Sequence, residues 1–478
     1  MSANSEDVYD VVIVGGGVVG LSILRSIVTD RTSDHRSLRI CLVEQEEDLL
    51  HWASGSNSGI VCTGTDAHIP TLERALLRDS IAQLRPYCQA MNVPLRPCGS
   101  IICQWKNDTS EDGGGERTER DPLQAVLREQ HDAGDVDAKL LSREQVKEME
   151  PNMNHANVLS AVHVPGEIVL DPWLYSISLA VHARENLPPN GSAIYVDFQV
   201  DMQSSRYDEI ADIWVIRNTK EADGKDCPNI LKSRVVISAT GLWADELERH
   251  MLHRSSNDRA KGRFVCKPRR GQYRIYSSSP ETTKIVHPIQ PVPTQRTKGI
   301  FVFSTMYDQI VVGPTALDQT SKTDRTIDDE VSHQLADYAR FVVPQLDVQK
   351  DYVDDYVGLR PGTDKRDYQI HVDYPRRWIT CAGIRSTGLS ASLGIGRHVN
   401  HLLRCGLLPS ISSSQARTVS ASQEEITVRT TPLPPLSELL KDFGERGDGK
   451  VSINGHLYKV THPITKNGWK LLTKNSPS

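Results

Sequence analysis

The sequence predicts an α/β fold combined with an α+β fold, in which a parallel sheet is assembled from discontinuous segments and a second domain surrounds a mixed or antiparallel sheet. Three observations support this. A glycine-rich turn near residue 15 separates an apolar run from a helix-like segment, another apolar run of that kind returns at 235–241, and strand-like segments dominate 263–318. Because 478 residues exceed what one ordinary hydrophobic core accommodates, two domains are expected.

The first element is a strand–turn–helix unit that begins at residue 9. The apolar residues 11–14 predict a buried parallel strand, and Gly15, Gly17 and Gly20 follow in the spacing Gly-x-Gly-x-x-Gly. In dinucleotide-binding proteins such glycines permit a tight turn, close approach of the backbone to a pyrophosphate, and close packing of helix on strand, while the helix N-terminus attracts the phosphates. The alternative is an ordinary glycine-rich turn. We interpret the unit as a Rossmann-like dinucleotide site.

The next strand supports that interpretation. Residues 38–43 predict a second strand, which ends at Glu44. A carboxylate at this position accepts hydrogen bonds from a ribose diol and repels a 2′-phosphate, so NADP is disfavoured. The motif alone does not separate FAD from NAD, although its place at the start of the chain favours FAD.

Composition excludes several classes of function. The chain carries 55 Lys and Arg against 61 Asp and Glu, a net charge of −6 that argues against nucleic acid or an anionic membrane as a partner. It contains no apolar run of 18 residues, so no transmembrane segment is expected. Because no signal or transit peptide is recognised, we expect a cytoplasmic protein, with a mitochondrial location left open. The nine scattered cysteines predict reduced thiols and no metal site.

The remaining elements follow in order along the chain. Their patterns predict helices over 70–90, 122–150 and 325–348, a mobile loop over 107–121, strands over 192–237 interrupted by a polar turn at 218–229, an antiparallel sheet over 263–318, and a strand–turn–helix unit over 378–389. The Ser-, Thr- and Pro-rich residues after 405 predict a linker, and 431–478 predict a small strand-like appendage.

Several segments beyond residue 50 resemble one flavoprotein superfamily. The sequence Ser54-Gly55-Ser56-Asn57-Ser58-Gly59-Ile60-Val61 is similar to the second flavin loop of the D-amino-acid-oxidase-like (glutathione-reductase type 2) FAD oxidoreductases. Further segments occur in family order, so that the resemblance covers roughly 8–405; they are 166–172, 239–245, 269–273, 291–294, 313–316, 358–361 and 382–389. The most similar branch contains anaerobic-type glycerol-3-phosphate dehydrogenases, with L-2-hydroxyglutarate dehydrogenases as relatives.

The resemblance implies an FAD-dependent oxidoreductase over residues 8–405. It assigns the FAD-binding domain to discontinuous parts and the substrate domain to the segments between them. The FAD-binding parts are about 8–90, 150–262 and 350–405, the substrate-domain parts are about 91–149 and 263–349, the linker is 406–430, and the appendage is 431–478.

The same resemblance implies where FAD would bind. It places the pyrophosphate at Gly15, Gly17 and Gly20 and the adenosine ribose at Glu44. Further implied cofactor residues are Ser56, Asn57, Ser58, Gly59, Val200, Gly241, Gly388, Leu389 and Ser390. The last three open the final helix, whose N–H groups would stabilise negative charge on the reduced flavin. The alternative for Val200 is an ordinary core residue, and for Gly388 an ordinary helix start.

Four residues are candidates for substrate binding and catalysis: Arg360, Arg385, Tyr273 and His287. Arginine suits bidentate binding of a carboxylate or phosphate, and Arg360 matches a family position that faces the flavin, with Arg385 next. Tyr273 would orient the substrate through its hydroxyl, and His287 would accept the hydroxyl proton of an alcohol. The structural alternatives are a salt bridge for Arg360, packing for Tyr273 and a structural histidine for His287.

These features predict a dehydrogenase or oxidase that transfers a hydride from a small anionic substrate, a 2-hydroxy acid or glycerol 3-phosphate, to flavin N5. An amino-acid or amine oxidase and a non-catalytic flavin-binding protein remain alternatives, and an NAD-dependent dehydrogenase is disfavoured. Many relatives have histidine where this chain has Cys62, which leaves the effect on reaction and substrate open. No cysteine follows Cys405, which predicts electron transfer from the flavin directly to a quinone, a carrier protein or oxygen.

Overall fold

A computed structural model describes residues 8–30, 38–64, 67, 69–106, 122–132, 134–220, 227–253, 262–279, 281–294, 299–408 and 428–475. In chain order the strands of these residues are β1 Val8–Val14, β2 Ile40–Val43, β3 Ile60–Val61, β4 Leu95–Arg96, β5 Ser100–Trp105, β6 Lys139–Leu141, β7 Val158–Val164, β8 Ile168–Leu170, β9 Ala193–Tyr195, β10 Arg206–Asp208, β11 Ile213–Arg217, β12 Ile230–Ser238, β13 Cys266–Tyr276, β14 Ile289–Pro291, β15 Phe301–Ser304, β16 Ile310–Gly313, β17 Leu317–Asp318, β18 Tyr352–Thr363, β19 Gln369–Asp373, β20 Trp378–Ala382, β21 Lys450–Ile453 and β22 His456–Lys459. The α-helices are α1 Val18–Val28, α2 Leu72–Ala90, α3 Pro122–Asp132, α4 Arg143–Met149, α5 Pro172–Glu185, α6 Ala244–Leu252, α7 Asp329–Val342, α8 Gly388–Gly406, α9 Leu436–Arg446 and α10 Pro463–Asn475.

The first sheet has eight strands in the order β10–β11–β12–β1–β2–β9, with β20 beside β12 and β19 beside β20. Strand β1 pairs in parallel with both β12 and β2, so that Val14 lies level with Ser238 and Val43. Val12 and Ile13 are fully buried in different hydrophobic clusters, because both faces of the sheet are covered. The carboxyl ends of these strands meet at one edge, where ligands bind in parallel α/β sheets.

Helices α1 and α8 pack closely beside this sheet. A Cβ at Gly396 of α8 would lie 2.6 Å from the Ser22 carbonyl oxygen of α1, so glycine is what permits the approach. The buried Ser22 hydroxyl donates a hydrogen bond of 2.7 Å to the Ser392 carbonyl across the contact. At the other end, a Cβ at Gly388 would lie 3.9 Å from Val18 Cγ1, so the two helices begin side by side.

The second sheet has nine strands in the order β17–β13–β16–β15–β14–β5–β7–β6, with β18 paired along β13. Strands β14 and β5 are parallel, and the other pairs are antiparallel. An α/β layer whose central strands are parallel and come from separated segments, together with a mixed second sheet, confirms the predicted fold class.

Two strands join the second sheet although their ranges were expected in the FAD-binding parts. Strand β7, from the range 150–262, pairs with β5, and β18, from the range 350–405, pairs with β13 over its whole length. Strands β12 and β20, from the same two ranges, do lie in the first sheet. Apolar periodicity predicts a strand but does not identify its partner strand, so the sequence did not show that these strands join the second sheet.

The helix predicted over 122–150 is interrupted by strand β6.

Residues 428–475, here called the C-terminal unit, consist of α9, the β21–β22 hairpin and α10. The expectation of a strand-like appendage is therefore right only for the hairpin, since Trp469 lies in α10. Trp469 is fully buried and packs edge-on against Trp173 of α5, with ring centroids 5.8 Å apart. The unit consequently shares the hydrophobic core of the first sheet and its helices.

Three predicted features lie wholly or largely outside the described residues: the loop over 107–121, the middle of the turn over 218–229, and the linker over 406–430. Within the residues that are described, no helix combines the length and the apolar character needed to cross a membrane.

Candidate active site

A cavity of about 1640 Å³ runs between the two sheets. The carboxyl edge of the first sheet lines it with Gly15, Gly17 and Glu44, and the second sheet lines it with Tyr273 and Arg360. A site for one small molecule typically encloses roughly 300–1,000 Å³. The cavity is therefore large enough for a dinucleotide together with a substrate.

The glycine-rich turn shapes the first-sheet end of this cavity. Gly15 has φ +115°, a conformation that glycine adopts without strain, and a Cβ at this position would overlap the Ala239 carbonyl oxygen. A Cβ at Gly20 would overlap the Gly15 carbonyl oxygen. Gly17 precedes α1 without a side-chain cap and lines the cavity. No side chain of residue 17 covers the N-terminus of α1, although Ser54 Oγ accepts from the Val18 N–H there, and the helix dipole favours an anion at this end.

Glu44 directly follows β2, as predicted, and its carboxylate also holds the glycine-rich turn in place. Its Oε2 accepts a hydrogen bond from the Gly16 N–H at 2.6 Å, and Oε1 accepts one from the Glu46 N–H at 3.1 Å. Burial raises the pKa of Glu44, and these backbone hydrogen bonds oppose the rise. Each carboxylate oxygen has two acceptor directions, so a ribose hydroxyl can still donate to this side chain.

The 54–61 loop is held by its own polar groups. Asn57 Nδ2 donates to the Ser54 carbonyl at 2.9 Å, and Asn57 Oδ1 accepts from the Gly59 N–H at 2.9 Å. Ser54 Oγ accepts from the Val18 N–H at 3.0 Å, which ties the loop to the start of α1. The Asn57 side chain is thus used to shape the loop, while the backbone and the neighbouring serines face the cavity.

Most of the predicted cofactor residues lie together around this cavity. Those that line it are Gly15, Gly17, Glu44, Ser56, Asn57, Ser58, Val200, Gly241, Gly388 and Leu389. Gly20, Gly59 and Ser390 are not part of the lining. Gly59, with φ +73°, turns the 54–61 loop, and Ser390 Oγ accepts a hydrogen bond from the Cys62 N–H at 3.2 Å. These three positions shape the site from behind rather than face a ligand.

The N-terminus of α8 lies at the same cavity as the N-terminus of α1. Gly388 and Leu389 line it, and Thr387 precedes the helix without capping it. Thr387 Oγ1 instead donates to Glu73 Oε1 at 2.7 Å. Two helix N-termini directed at one cavity favour negative charge on the bound molecule.

Strands β13 and β18 present the predicted substrate residues on one face. In their register Tyr273 lies opposite Tyr356, and Arg269 lies opposite Arg360. Since residues two apart share a face of a strand, Arg269, Gly271 and Tyr273 line the same wall of the cavity as Arg360.

Arg360 has the features of an anion-binding residue. Its Nη2 donates to the Thr315 carbonyl at 3.0 Å and would lie 2.8 Å from a Cβ at Gly271, so the glycine gives the guanidinium its space. Burial lowers the pKa of Arg360, and Tyr273 opposes this, but an arginine in a protein stays charged. Within the described part of the chain no carboxylate forms an ion pair with it. A half-buried, unpaired charge that lines a cavity favours an anionic ligand.

The ring of Tyr273 is packed against another ring, and its hydroxyl is available for a hydrogen bond. Its ring stacks on Tyr356 with centroids 4.5 Å apart and planes at 5°, and the Tyr356 hydroxyl donates to the Asn57 carbonyl at 3.2 Å. Burial raises the pKa of Tyr273, and the Arg360 guanidinium partly offsets that rise. The Tyr273 hydroxyl is therefore protonated at neutral pH and suited to donating a hydrogen bond rather than to acting as a base.

Arg385 lines the cavity, but its charge is already paired. Its Nη2 donates to Glu73 Oε2 at 2.8 Å, across 312 positions of sequence, and to the Arg366 carbonyl. The structure therefore does not favour Arg385 over Arg360 for binding an anion, and a substrate contact of Arg385 stays a prediction.

The structure does not bring His287 to the cavity. Its Nδ1 lies 2.6 Å from Glu150 Oε1, and its backbone N–H donates to the same oxygen at 2.5 Å. Glu150 is fully buried and also accepts from the Val286 N–H at 3.0 Å, so the carboxylate fixes this turn. The expectation of a catalytic base at His287 is thus corrected: the residue anchors the second sheet, the structural alternative considered for it.

Sequence reasoning missed residues that extend the cavity wall. Lys267 and Arg269 continue the cationic face beyond Arg360, and counting back from Tyr273 with a two-residue period would have found both. The glycine pair Gly271 and Gly358 was also missed. A Cβ at Gly358 would lie 2.6 Å from the Ser56 carbonyl oxygen, so Gly358 lets the second sheet approach the 54–61 loop, whereas Gly271 makes room for Arg360.

The cavity fits a flavin dinucleotide by its own chemistry. The glycine turn, which has no side chains to obstruct a ligand, suits a pyrophosphate, the carboxylate of Glu44 suits a ribose, and the α8 N-terminus suits the electron-rich end of a reduced ring. The fold and the site define a dinucleotide-dependent oxidoreductase whose second sheet, with Arg360, faces the reacting end.

The comparison with known families gives the same result. The chain matches the model of the DAO family, FAD dependent oxidoreductase, over residues 10–402, and it belongs to that family. This confirms the predicted superfamily and its cofactor, FAD.

Relatives and solved structures add detail. The chain is 27% identical to glycerol 3-phosphate dehydrogenase of Caloramator mitchellensis, over 83% of this chain and 74% of that protein. It is 27% identical to human mitochondrial L-2-hydroxyglutarate dehydrogenase, over 65% of this chain and 61% of that protein. In fold it is similar to dithionite-reduced L-α-glycerophosphate oxidase of Mycoplasma pneumoniae with FAD bound, at a TM-score of 0.69 and 24% identity, over 83% of this chain and 94% of that one.

Substitution of Glu44 by glutamine tests the ribose contact. The amide keeps the side-chain volume but directs an NH₂ group toward an N–H donor or the ribose, which removes a charge-assisted hydrogen bond of about 1.5–3 kcal/mol. We expect the Kd for FAD to rise about tenfold or more in titrations of the apoprotein. Glu330→Gln, at an exposed position of α7, is the control and leaves the Kd unchanged. A wild-type Kd in Glu44→Gln would remove Glu44 from the cofactor site.

Proposed function

We propose that this protein is an FAD-dependent dehydrogenase or oxidase that oxidises the CH–OH group of a small anionic substrate, a 2-hydroxy acid or glycerol 3-phosphate. The observation that supports this most is Arg360, a half-buried guanidinium on the cavity wall with no carboxylate partner within the described residues. The names of the relatives agree with an anionic alcohol, since they act on glycerol 3-phosphate and L-2-hydroxyglutarate.

Each residue of the wall has a part in the proposed reaction. Arg360 binds the carboxylate or phosphate and so fixes the substrate's orientation. The Tyr273 hydroxyl donates a hydrogen bond to a substrate oxygen, and the stack on Tyr356 holds the Tyr273 ring in place. FAD, when bound, would supply the hydride acceptor at N5, and the hydroxyl proton of the substrate leaves to solvent in the cavity. The N-terminus of α8 at Gly388 stabilises negative charge at the other end of the ring system.

The electron acceptor and the cellular location of the protein are also proposed. The acceptor is a quinone, a carrier protein or oxygen, which takes electrons from the reduced cofactor directly. The proposed location is the cytoplasm, which agrees with nine cysteines that are all free thiols.

A turnover assay with a redox dye as acceptor tests the substrate class. The holoenzyme is given glycerol 3-phosphate, L-2-hydroxyglutarate, glycine or proline, with uncharged glycerol as the matched control. We expect one of the anionic alcohols to reduce the dye with a kcat/KM at least about a hundredfold above that of glycerol, because glycerol cannot pair with Arg360. Ammonia release from an amino acid would favour the amine-oxidase alternative. Bound flavin without turnover of any compound would favour the non-catalytic alternative.

A further inference from the structure

The C-terminal unit lies beyond residues 10–402, the part of the chain that matches the family, yet it packs into the body of the protein. Between β22 and the middle of α10, five side chains are each no more than 2% exposed; they are Val460, His462, Ile464, Thr465 and Trp469. A segment that merely lay on the protein surface would leave most of these side chains exposed to solvent. The stretch 460–469 is instead core, and its contacts fall around the cavity.

One contact of this stretch supports a strained turn of the cavity lining. Thr461 Oγ1 donates to the Leu50 carbonyl at 3.1 Å, and Leu50 lines the cavity. Leu50 has φ +64°, a left-handed conformation that is unfavourable for leucine and persists only when its surroundings hold it. Thr461 is one of the groups that hold this turn.

His462 lies against the 54–61 loop. Its ring centroid is 6.1 Å from that of Tyr356, whose hydroxyl donates to the Asn57 carbonyl. His462 Nδ1 accepts from the Ile464 N–H at 3.3 Å, which leaves the ring proton on Nε2. Burial lowers the pKa of His462 to about 3, and the backbone of Asn57 opposes this, so the ring is neutral at physiological pH. Nε2 has no hydrogen-bond partner of ordinary geometry in the described residues and faces this part of the loop.

Ile464 extends the contact to the substrate wall. It shares a buried hydrophobic cluster with Tyr273 and Tyr356, the stacked pair of β13 and β18. Partly buried Ile60 and Phe301 pack on the same cluster and line the cavity. The start of α10 therefore packs against the side chains that give this wall its shape.

A buried polar network anchors the far end of the stretch. Asp171 accepts a hydrogen bond from Thr465 Oγ1 at 3.0 Å and another from the Tyr307 hydroxyl, and Trp469 Nε1 donates to the Tyr307 oxygen at 2.8 Å. Asp171 also caps α5 by accepting from the Leu174 N–H. Because a displaced α10 would leave several buried polar groups unpaired, the network holds the stretch in one position.

We propose that the stretch 460–469 supports the cofactor and substrate site from behind, with His462 as a positioning residue whose ring packs beside Tyr356 and whose unpaired Nε2 N–H is available to the Asn57 carbonyl. His462 touches neither cofactor nor substrate and acts through Asn57 and Tyr356. The inference rests on the proposed role of the 54–61 loop in binding FAD, and on no particular substrate. FAD binding and the order of the stretch 460–469 are then coupled, and the coupling is reciprocal.

Variants of His462 test the coupling through FAD affinity. His462→Phe keeps a ring but removes both nitrogens, whereas His462→Gln restores a neutral N–H donor. We expect the Kd for FAD, from titration of the apoprotein, to rise about tenfold in H462F and to return to within about threefold of wild type in H462Q. The visible circular dichroism of the bound flavin changes in H462F alone.

Tyr458→Phe is the matched control. Tyr458 is buried in the same unit, its hydroxyl has no hydrogen-bond partner within the described residues, and it does not line the cavity. The Y458F variant is expected to keep the wild-type Kd and the wild-type circular dichroism of the flavin.

Hydrogen exchange of the wild-type protein provides an independent test. Adding FAD to the apoprotein is expected to slow amide exchange over 460–469 and to leave α9 unchanged. If H462F does not fold, the hydrogen-exchange result for the wild-type protein alone tests the proposal. The proposal is overturned if H462F binds FAD as wild type does, or if exchange over 460–469 does not respond to FAD. Neither readout contains substrate, so a wrong substrate class would not alter them.

Discussion

Arg360→Ala is expected to raise the KM for the anionic substrate about a hundredfold, while the FAD content of the purified protein stays at the wild-type level. A charge-assisted, bidentate contact with a carboxylate or phosphate contributes roughly 3 kcal/mol, which corresponds to about a hundredfold in affinity. The FAD content does not change because Arg360 bonds to the Thr315 carbonyl and not to the glycine turn or the 54–61 loop. Steady-state kinetics and the ratio of flavin to protein absorbance measure the two effects.

Two companion variants separate charge from geometry. Arg360→Lys keeps the charge but loses the planar pair of donors, so an intermediate KM is expected. Arg340→Ala removes an arginine of α7 whose side chain is 60% exposed, and its kinetics are expected to match wild type. A wild-type KM in Arg360→Ala would exclude Arg360 from the substrate site. Loss of FAD from that variant would assign Arg360 to the cofactor instead.

Gly15→Ala is expected to raise the Kd for FAD more than about tenfold, because the change costs more than ~1.4 kcal/mol in FAD affinity, and so to lower the FAD content of the purified protein. The methyl group would overlap the Ala239 carbonyl oxygen, and φ +115° disfavours any side chain. The turn between β1 and α1 must shift to relieve the overlap, and the glycine backbone that would face the pyrophosphate shifts with it. Flavin absorbance per protein and the Tm of the apoprotein report the two consequences separately.

Gly447→Ala is the matched control for this variant. Gly447 also has a left-handed φ of +65°, but a Cβ there would meet no atom within 4 Å. The substitution therefore adds backbone strain of about 1–2 kcal/mol without an overlap and leaves the FAD content unchanged. A full complement of FAD in Gly15→Ala would contradict the assignment of the glycine turn to the cofactor.

The parts of the fold that the sequence predicted are those with local physical causes. The apolar run before Gly15, the glycine spacing and the acid at Glu44 are each visible within fifty residues, and each follows from the geometry of one strand–turn–helix unit. Arg360 was found through its resemblance to a family position, and its neighbour Arg269 was missed although it lies opposite Arg360 across the two strands.

The features that the sequence could not predict have long-range causes. Whether a charged side chain is available to a ligand depends on its partner, and the partners of His287 and Arg385 lie 137 and 312 positions away, at Glu150 and Glu73. No local pattern indicates such pairs. The exchange of β18 between sheets has the same origin, because its periodicity predicts a strand without identifying β13 as its partner.

The C-terminal unit shows a further limit of local patterns. Its composition resembled a small separate appendage, and the burial of His462 and Trp469 depends on groups more than a hundred residues earlier, such as Tyr356 and Tyr307. Hydrophobic residues of a short segment predict that it packs, but not which surface of the protein receives it.

Anaerobic reduction of the bound flavin tests the central claim most directly. The purified holoenzyme is mixed, without oxygen or any other acceptor, with glycerol 3-phosphate or L-2-hydroxyglutarate, and the visible flavin absorbance is followed. We predict that one of these anionic alcohols bleaches the flavin in the wild-type enzyme, and that Arg360→Ala requires about a hundredfold more of it for the same rate. A flavin that neither alcohol bleaches, but that an amino acid does, would contradict the proposed substrate class.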